Sequence, residues 1–585
     1  MKQAEKHTSG LTHISRRSSK HCPKSLYYCE HNEQCPTQLH IPPGKPLTVN
    51  SAGRKNNELR LKRLFPSRKV FIMTPSTQTI KTKVSNTRLM VFLGLFIITF
   101  GAAALRVKDI TENPPELYSD ELGNFVSAKS IVEEGKDLQG RLLPFFYDRA
   151  ESRPPIYGYC AYLASKFFIN PTFAIRFPAI IFGLITIIML FMLTLELTGS
   201  QVAALFSAFC LAIIPWHIHY SRVGWEPASW LPFLLTATVL LIKGINKNYS
   251  PLTLLGFAFF SLTIYTYEAA PLIAALFLLS IVILNHRYFC KNKKLFFTGA
   301  LTSGIIALPY IWTAFHDPNM YERAIRISTF SKGLDIDSIK IFLNNYKSHF
   351  SLKFLFKDGD PNLRHGAQTG VLYWWMLPFM IIGAIAVGKS VKRRWFVGLI
   401  VFWIVVFPLV GALTDDGVPH ATRTLIGAPM FCLLTGIGLW QSVIFFHYRL
   451  NSRILAACFV VAILFIAGIS LIRFSKRYYL DYPKFSSIWW EFGHKEIFKK
   501  VKSMENKYQR ACLENLNYWN ELQLKKFYLD EGKLDIITDI KDPKCRMRDS
   551  IVVVRESNRI FVNGNLRYKV YNPENAPIYY IYTID

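Results

Sequence analysis

Apolar runs long enough to cross a bilayer recur along this chain, and that recurrence limits its possible folds more than any other feature. They lie near residues 89–106, 177–196, 202–215, 228–245, 251–267, 269–285, 295–314, 371–388, 395–412, 424–446 and 454–472. A helix rises about 1.5 Å per residue, so roughly 20 apolar residues cross the hydrocarbon layer. The runs therefore predict an all-α polytopic membrane protein with about eleven transmembrane helices. The first run starts too far along the chain, and is too long, for a removable signal peptide.

Residues 154–168, "PPIYGYCAYLASKFF", form a twelfth candidate. As a helix this stretch reaches only about 22 Å, and its tyrosines favour the membrane interface. Charge decides its placement. Residues 1–88 hold 17 Lys or Arg against 4 Glu and no Asp, which reads as a basic cytoplasmic tail. With that tail inside and 154–168 on the surface, the loops "KGINKN", "HRYFCKNKK", "KSVKRR" and "HYRLNSR" all face the cytoplasm, as the positive-inside rule requires. The remaining loops and the C-terminal region then share the outer face. Three regions result: a basic tail (1–88), a transmembrane domain (89–472) and a small extracytoplasmic α/β domain (473–585). In the last, "FGHKEIFKKVKSM" reads as an amphipathic helix, and "DSIVVVRES" and "RIFVNGNLRYKVY" read as strands.

The cysteines form no framework. Those at 160, 210, 290, 432 and 458 fall in or beside apolar runs, where a small buried apolar role is expected. Cys512 and Cys545 lie in the polar C-terminal region and could pair if that region is extracytoplasmic, which sequence alone leaves open. In the tail, Cys22, Cys29, His31, Cys35 and His40 match no usual paired-ligand zinc spacing. Met73 begins a second plausible translation start, since "MTPSTQTIKTKVSNTR" reads as a short basic N-terminus.

The outer loops gather unusual ionisable groups from separated segments. They include Asp120, Glu121, Glu151, Arg153, Arg176, His217, His219, Arg222, Glu226, Glu268, Asp415, Asp416, His420 and Arg423. Such groups alone often snorkel or orient a helix. Acids and arginines pooled on one face suit a further task. Guanidinium forks hold phosphate oxygens, and a carboxylate takes a proton from an attacking hydroxyl. A lipid-linked sugar phosphate needs both. Its phosphate leaves readily once its charge is stabilised, so one base suffices for inverting transfer, unlike ordinary glycoside hydrolysis.

"LYSDELGNFVSAKSIVEEG", "SRPPIYGYCAYLASKFF", "AIRFPAIIFGLITIIMLF" and "AIIPWHIHYSRVGWEP" occur in an order that resembles the GT-C membrane glycosyltransferases of family 39. That family includes the dolichyl-phosphate-mannose–protein mannosyltransferases and the lipid A aminoarabinose transferase. The resemblance spans roughly residues 89–490. It implies a GT-C fold with two surface helices in the first external loop, near 121–134 and 154–168. It implies Asp120 as the catalytic carboxylate, with Glu121 as its acidic partner. It further implies Arg153, Arg176 and Arg222 as carrier-phosphate ligands, and puts Glu151 near an acidic metal ligand with the spacing off by one. Loop 315–370 shows no sugar-binding repeat of the kind found in eukaryotic protein mannosyltransferases.

Other features admit two readings. Tyr265, Tyr267 and Glu268 suit a sugar pocket, though an interfacial aromatic belt accounts equally well for the tyrosines. Asp416, His420 and Arg423 contact sugar or acceptor, or else shape their loop. His217 and His219 would share a side on a strand but not on a helix, so they are weak metal candidates, with Glu151. "YERAIR" (321–326) reads as a short amphipathic helix suited to a lid. A divalent metal is possible but not required. No Walker loop or G-x-G-x-x-G appears, which argues against a nucleotide-sugar donor, and no nucleic-acid partner is expected.

The expected function is transfer of a hexosyl or pentosyl group from a polyprenyl-phosphate donor to a protein or glycolipid hydroxyl. The expected location is the plasma membrane, as a multi-pass integral protein with a cytoplasmic N-terminus and an extracytoplasmic C-terminal domain. The alternative is a transporter or flippase, but transporters place key charges near the midplane, often in repeated halves. Here the charges cluster at one end of the spans and no halves repeat.

Overall fold

The computed structural model describes residues 83–142, 153–390, 394–514, 523–529 and 534–585. The cysteine–histidine stretch 22–40, Met73 and Glu151 lie outside the described residues.

In chain order the helices are α1 (Lys83–Val107), α2 (Ser119–Glu134), α3 (Ile156–Ser165), α4 (Pro171–Thr198), α5 (Gln201–Ile213), α6 (Pro215–Tyr220), α7 (Pro227–Lys247), α8 (Ser250–Thr263), α9 (Ala270–Leu284), α10 (His286–Lys291), α11 (Lys293–His316), α12 (Glu322–Arg326) and α13 (Ile336–Ser348). There follow α14 (Met376–Gly388), α15 (Arg394–Val406), α16 (Leu409–Ala412), α17 (Gly427–Ile444), α18 (Arg453–Lys476), α19 (Tyr482–Ser486) and α20 (His494–Met504). Among the described residues, seven helical stretches are long and apolar enough to cross a membrane, and four shorter apolar helices accompany them. Each overlaps one of the apolar runs read from the sequence. The segment near 154–168 is the ten-residue α3, packed against α2 and α4.

Local sequence explains the boundaries. Asn170 caps α4 by accepting from the Phe173 N–H, with Pro171 at the first helical position. Gly135 closes α2 in the left-handed conformation that follows many helices. The helix pair α14–α17 meets at two glycines. A Cβ at Gly383 would strike the Leu434 carbonyl, and one at Gly438 the Phe379 carbonyl. Small residues permit this backbone approach, which is how apolar helices associate without a hydrophobic drive between them. Trp216, Trp230 and Trp403 are fully buried in the main core. The outward faces of α1 and α11 expose Phe92, Phe96, Leu301 and Trp312, as lipid-facing helices should.

The C-terminal region forms one five-stranded sheet. Its strands are β1 (Arg510–Leu513), β2 (Asp535–Ile537), β3 (Ser550–Arg555), β4 (Asn565–Tyr571) and β5 (Pro577–Ile584), in the order β2-β1-β3-β5-β4. The β1 pairings are parallel and the β3–β5 and β4–β5 pairings antiparallel. Cys512 and Cys545 form a disulfide under this sheet. The amphipathic α20 buries Ile497, Phe498, Val501 and Met504 in a second core, which also contains Leu122, Phe125 and Val126 of α2. Glu116 tightens this junction by accepting from the Gly493 N–H at 2.9 Å and the Lys495 N–H at 2.6 Å. The first loop and α2 are thus gripped by α20 and the sheet.

Candidate active site

The acidic pair occupies the first turn of α2, where the helix dipole favours negative charge. The two carboxylates have different environments. Glu121 is fully buried, whereas Asp120 keeps 27% of its side chain exposed. Glu121 accepts from Arg176 Nε at 2.9 Å and Nη2 at 3.0 Å, from the Gly224 N–H at 2.7 Å and from the Tyr118 N–H at 3.1 Å. The last bond is the backward half of a capping box. Gly224 is required by the close approach: a Cβ there would sit 2.9 Å from Glu121 Oε1 and 2.9 Å from Ile175 Cγ2.

Asp120 instead meets Arg153. Arg153 Nη2 donates to Asp120 Oδ1 at 2.6 Å, and Nη1 donates to Glu226 Oε1 at 3.0 Å. Burial raises the Glu226 pKa above its ordinary value; Arg153 opposes this shift and the charge of Asp120 adds to it. The acid–arginine–acid array joins the start of α2, the approach to α3 and the start of α7.

Arg176 and Arg222, expected to offer their forks to a lipid phosphate, are turned inward. All five Arg176 N–H groups are used: Glu121 takes two, and the carbonyls of Ile110, Pro114 and Glu116 take the rest at 2.9, 2.8 and 2.6 Å. Arg222 donates to the carbonyls of Leu105, Arg106 and Asn113 at 2.9, 2.8 and 2.7 Å and lies over the rings of Tyr478 and Tyr479. Both arginines are fully buried. The reason is the chain that follows α1: Arg222 satisfies carbonyls at the end of that helix, and Arg176 satisfies carbonyls of the first loop beyond it. In this structure they position the loop that carries Asp120.

The other candidates fall into two groups. Tyr267 sits on Trp230, and the charges of Arg423, Glu268, Arg323 and Glu226 all reach it. Glu268 pairs with Arg323 of α12 at 3.2 Å, so "YERAIR" touches this side of the array. Asp416 accepts from Arg423 at 3.3 Å, and Arg423 also donates to Thr414 Oγ1 at 2.8 Å. Tyr265 is turned to the backbone, donating to the Ile306 carbonyl at 2.6 Å. His217 and His219 lie on α6, a helix, and accordingly point to different partners. His217 Nδ1 meets Arg106 Nη2 at 2.8 Å, while His219 meets the Arg364 carbonyl at 2.7 Å and the Tyr478 hydroxyl at 3.1 Å. Burial holds the His219 pKa down at about 3. The two rings do not share a site. His420 is buried beside two residues that sequence reasoning passed over, Asp360 and His365.

Arg364 was also missed. Its guanidinium lies 4.3 Å from the Tyr118 ring centroid, two residues before Asp120, and 5.9 Å from that of the partly exposed Trp489. The signal was present in "DGDPNLRHG", which puts two aspartates, an arginine and a histidine within eight residues. Nothing in the sequence showed that this loop returns to the first one.

Comparison with known proteins finds one family match. Residues 152–312 match the family model described as dolichyl-phosphate-mannose-protein mannosyltransferase. No curated protein matches the chain. Among solved structures, ArnT from Cupriavidus metallidurans is similar at 11% identity and TM-score 0.49, over 86% of this chain and 98% of that one. The Archaeoglobus fulgidus oligosaccharyltransferase is similar at 13% identity and TM-score 0.46, over 84% and 74%. Arabinosyltransferase EmbB from Mycobacterium smegmatis is similar at 14% identity and TM-score 0.37, over 65% and 32%. The segment matched by the mannosyltransferase model carries Arg153, Arg176, Arg222 and Glu226.

Proposed function

We propose that this chain transfers a sugar from a polyprenyl-phosphate carrier to an acceptor hydroxyl on the extracytoplasmic face, with inversion. Asp120 is the base that takes the acceptor proton. Arg153 contacts the carrier phosphate, sharing donors now directed at Asp120 and Glu226, and Arg364 approaches from the opposite loop. Arg176 and Arg222 act one layer back, fixing the first loop. The observation that carries this reading is the 2.6 Å Arg153–Asp120 pair, since it joins a partly exposed carboxylate to a cation at the start of the family-matched segment. A base next to a phosphate-holding cation is the minimum apparatus for displacing a phosphate leaving group.

Two further observations support the setting. The Cys512–Cys545 disulfide suits an oxidising, extracytoplasmic compartment for the C-terminal domain. Exposed Ile488 and Trp489, the latter beside Arg364, suit an interfacial position where a prenyl-phosphate head would lie. In this reading Tyr267, Glu268 and Arg423 contact sugar or acceptor. The acceptor is a protein or glycolipid, and mass spectrometry of surface glycoproteins and glycolipids with and without the gene distinguishes them. Binding of a polyprenyl-phosphate sugar tests the donor assignment: Arg153→Ala and Arg364→Ala should each weaken it. Unchanged affinity in both variants would remove the phosphate assignment.

A further inference from the structure

Asp360, His365 and His420 converge from two loops, 358–366 and 414–424, beyond the acid–arginine array. Their side chains are 0%, 10% and 8% exposed. Asp360 Oδ2 lies 2.9 Å from His365 Nδ1 and 4.0 Å from His420 Nδ1. One ligand atom from each of the three lies within 4.8 Å of the others. The two imidazole rings face each other at 4.5 Å between centroids.

We propose that these three residues form a divalent-cation site, with zinc the cation that their chemistry fits. Two imidazole nitrogens and one carboxylate oxygen are a common zinc donor set, and three protein ligands leave a fourth position for water. Donors about 2.0–2.1 Å from a tetrahedral ion sit about 3.3 Å from one another. The present separations bracket that figure, so ring rotations of a few tenths of an ångström to about one ångström close the shell.

The surroundings are arranged for ligation. The carboxylate of Asp360 is aimed by two backbone donors, the Asn362 N–H on Oδ1 at 2.8 Å and the Ala421 N–H on Oδ2 at 2.6 Å. His420 is held by its own N–H, which donates to His349 Nε2 at 3.0 Å; the other nitrogen of His349 is used on the Asn345 carbonyl at 2.7 Å. Such outer partners fix the orientation of ligands. His420 Nδ1 is engaged by the Arg423 N–H at a long 3.4 Å, an interaction that ligation replaces at small cost. A cleft lined by Trp216, His219, Asp360, His365, Gly366 and Tyr478 reaches the cluster. On binding through Nδ1, zinc takes the place of the His365–Asp360 hydrogen bond, and the neutral ring carries its proton on Nε2.

The ion's role is to staple the two loops. One carries Arg364, which lies on Tyr118; the other carries Arg423. The site stands on its own residues and is independent of the proposed transfer reaction. Its test is metal content. The full chain, purified without a polyhistidine tag, is stripped with a chelator, incubated with zinc chloride and dialysed. Elemental analysis should find about one zinc per chain, as a single structural site requires, and X-ray absorption at the zinc edge should show two imidazoles with oxygen and no sulfur. Asp360→Asn and the double variant His365→Gln, His420→Gln should lose the zinc, and the rise in thermal midpoint on adding zinc should vanish with it. A wild-type chain that binds no zinc, a sulfur-containing shell, or variants that keep the wild-type zinc content would overturn the site. The cluster would then be a hydrogen-bonded aspartate–histidine pair and nothing more. Because the absorption spectrum is read on the wild type, misfolding of a variant does not decide the outcome.

Discussion

Replacing Arg176 by alanine separates an internal strut from a substrate ligand. Arg176 and Glu121 are each fully buried, and the pair is bidentate. Removing one partner of a buried ion pair strands the other charge, which costs about 3–5 kcal/mol. The carbonyls of Ile110, Pro114 and Glu116 would also lose their Arg176 donors; each buried group left unpaired adds about 1 kcal/mol or more. The total is comparable with the whole stability of many domains. Arg176→Ala should therefore abolish or sharply reduce recovery of monodisperse protein in detergent, and what remains should melt well below wild type. The companion variant Glu121→Gln with Arg176→Met removes both charges. It should recover part of the loss, because the charge penalty disappears while the carbonyls stay unpaired. Thermal unfolding followed by fluorescence-detected size exclusion reads both. If Arg176→Ala melts with wild type and loses only donor affinity, the guanidinium is a substrate ligand and the strut reasoning is wrong.

Three other outcomes are expected. Cys512 and Cys545 close a loop with a sequence separation of 33, so their removal should destabilise the C-terminal domain by about 3–4 kcal/mol by loop-entropy reasoning; a double serine variant with wild-type protease resistance would contradict this. Gly224→Ala forces a methyl against Glu121 and Ile175 and should cost about 1–3 kcal/mol, read as a lower melting temperature, and an unchanged value would mean that the α2 start yields easily. Burial raises the Glu116 pKa from 4.5 to about 7, against the pull of the Gly493 and Lys495 N–H groups. Between those pH values the folded chain holds a proton that the unfolded chain has lost, so this group's contribution to stability is largest below pH 4.5. It declines as pH rises to 7, by at most about 1.4 kcal/mol per unit. Glu116→Gln should flatten that slope in a melting series, and a slope unaffected by the substitution would assign it to another group.

Much of the helical architecture was legible because apolar runs of membrane length carry their own signal. That 154–168 is too short to span was readable from its reach, and the structure gives a ten-residue α3 there; its placement on the membrane surface was argued from the charge of distant loops rather than from a local signal. Of the C-terminal sheet, α20, β3 and β4 were readable from their periods. β1 and β2 were not, being four and three residues long, and β5 was missed at the end of the chain. At the site, Asp120 and Glu121 stood out as acids in a basic chain. What sequence could not supply was the partner of each group. Arg176 and Arg222 looked like free cations at span ends, but the carbonyls that occupy them belong to residues about sixty and more than one hundred positions earlier. Likewise Asp360, His365 and His420 are separated by up to sixty residues and meet through loop packing that no periodic pattern encodes.

Sugar transfer by the purified chain in proteoliposomes, with a radiolabelled polyprenyl-phosphate sugar, puts the central claim to its most direct trial. Wild type should move label to an acceptor fraction. Asp120→Asn should fall by at least about 100-fold, the usual worth of a positioned base, with the fold retained, since Glu226 still pairs with Arg153 and Glu121 holds the helix start. Label transfer at the wild-type rate by a well-folded Asp120→Asn protein would contradict the account.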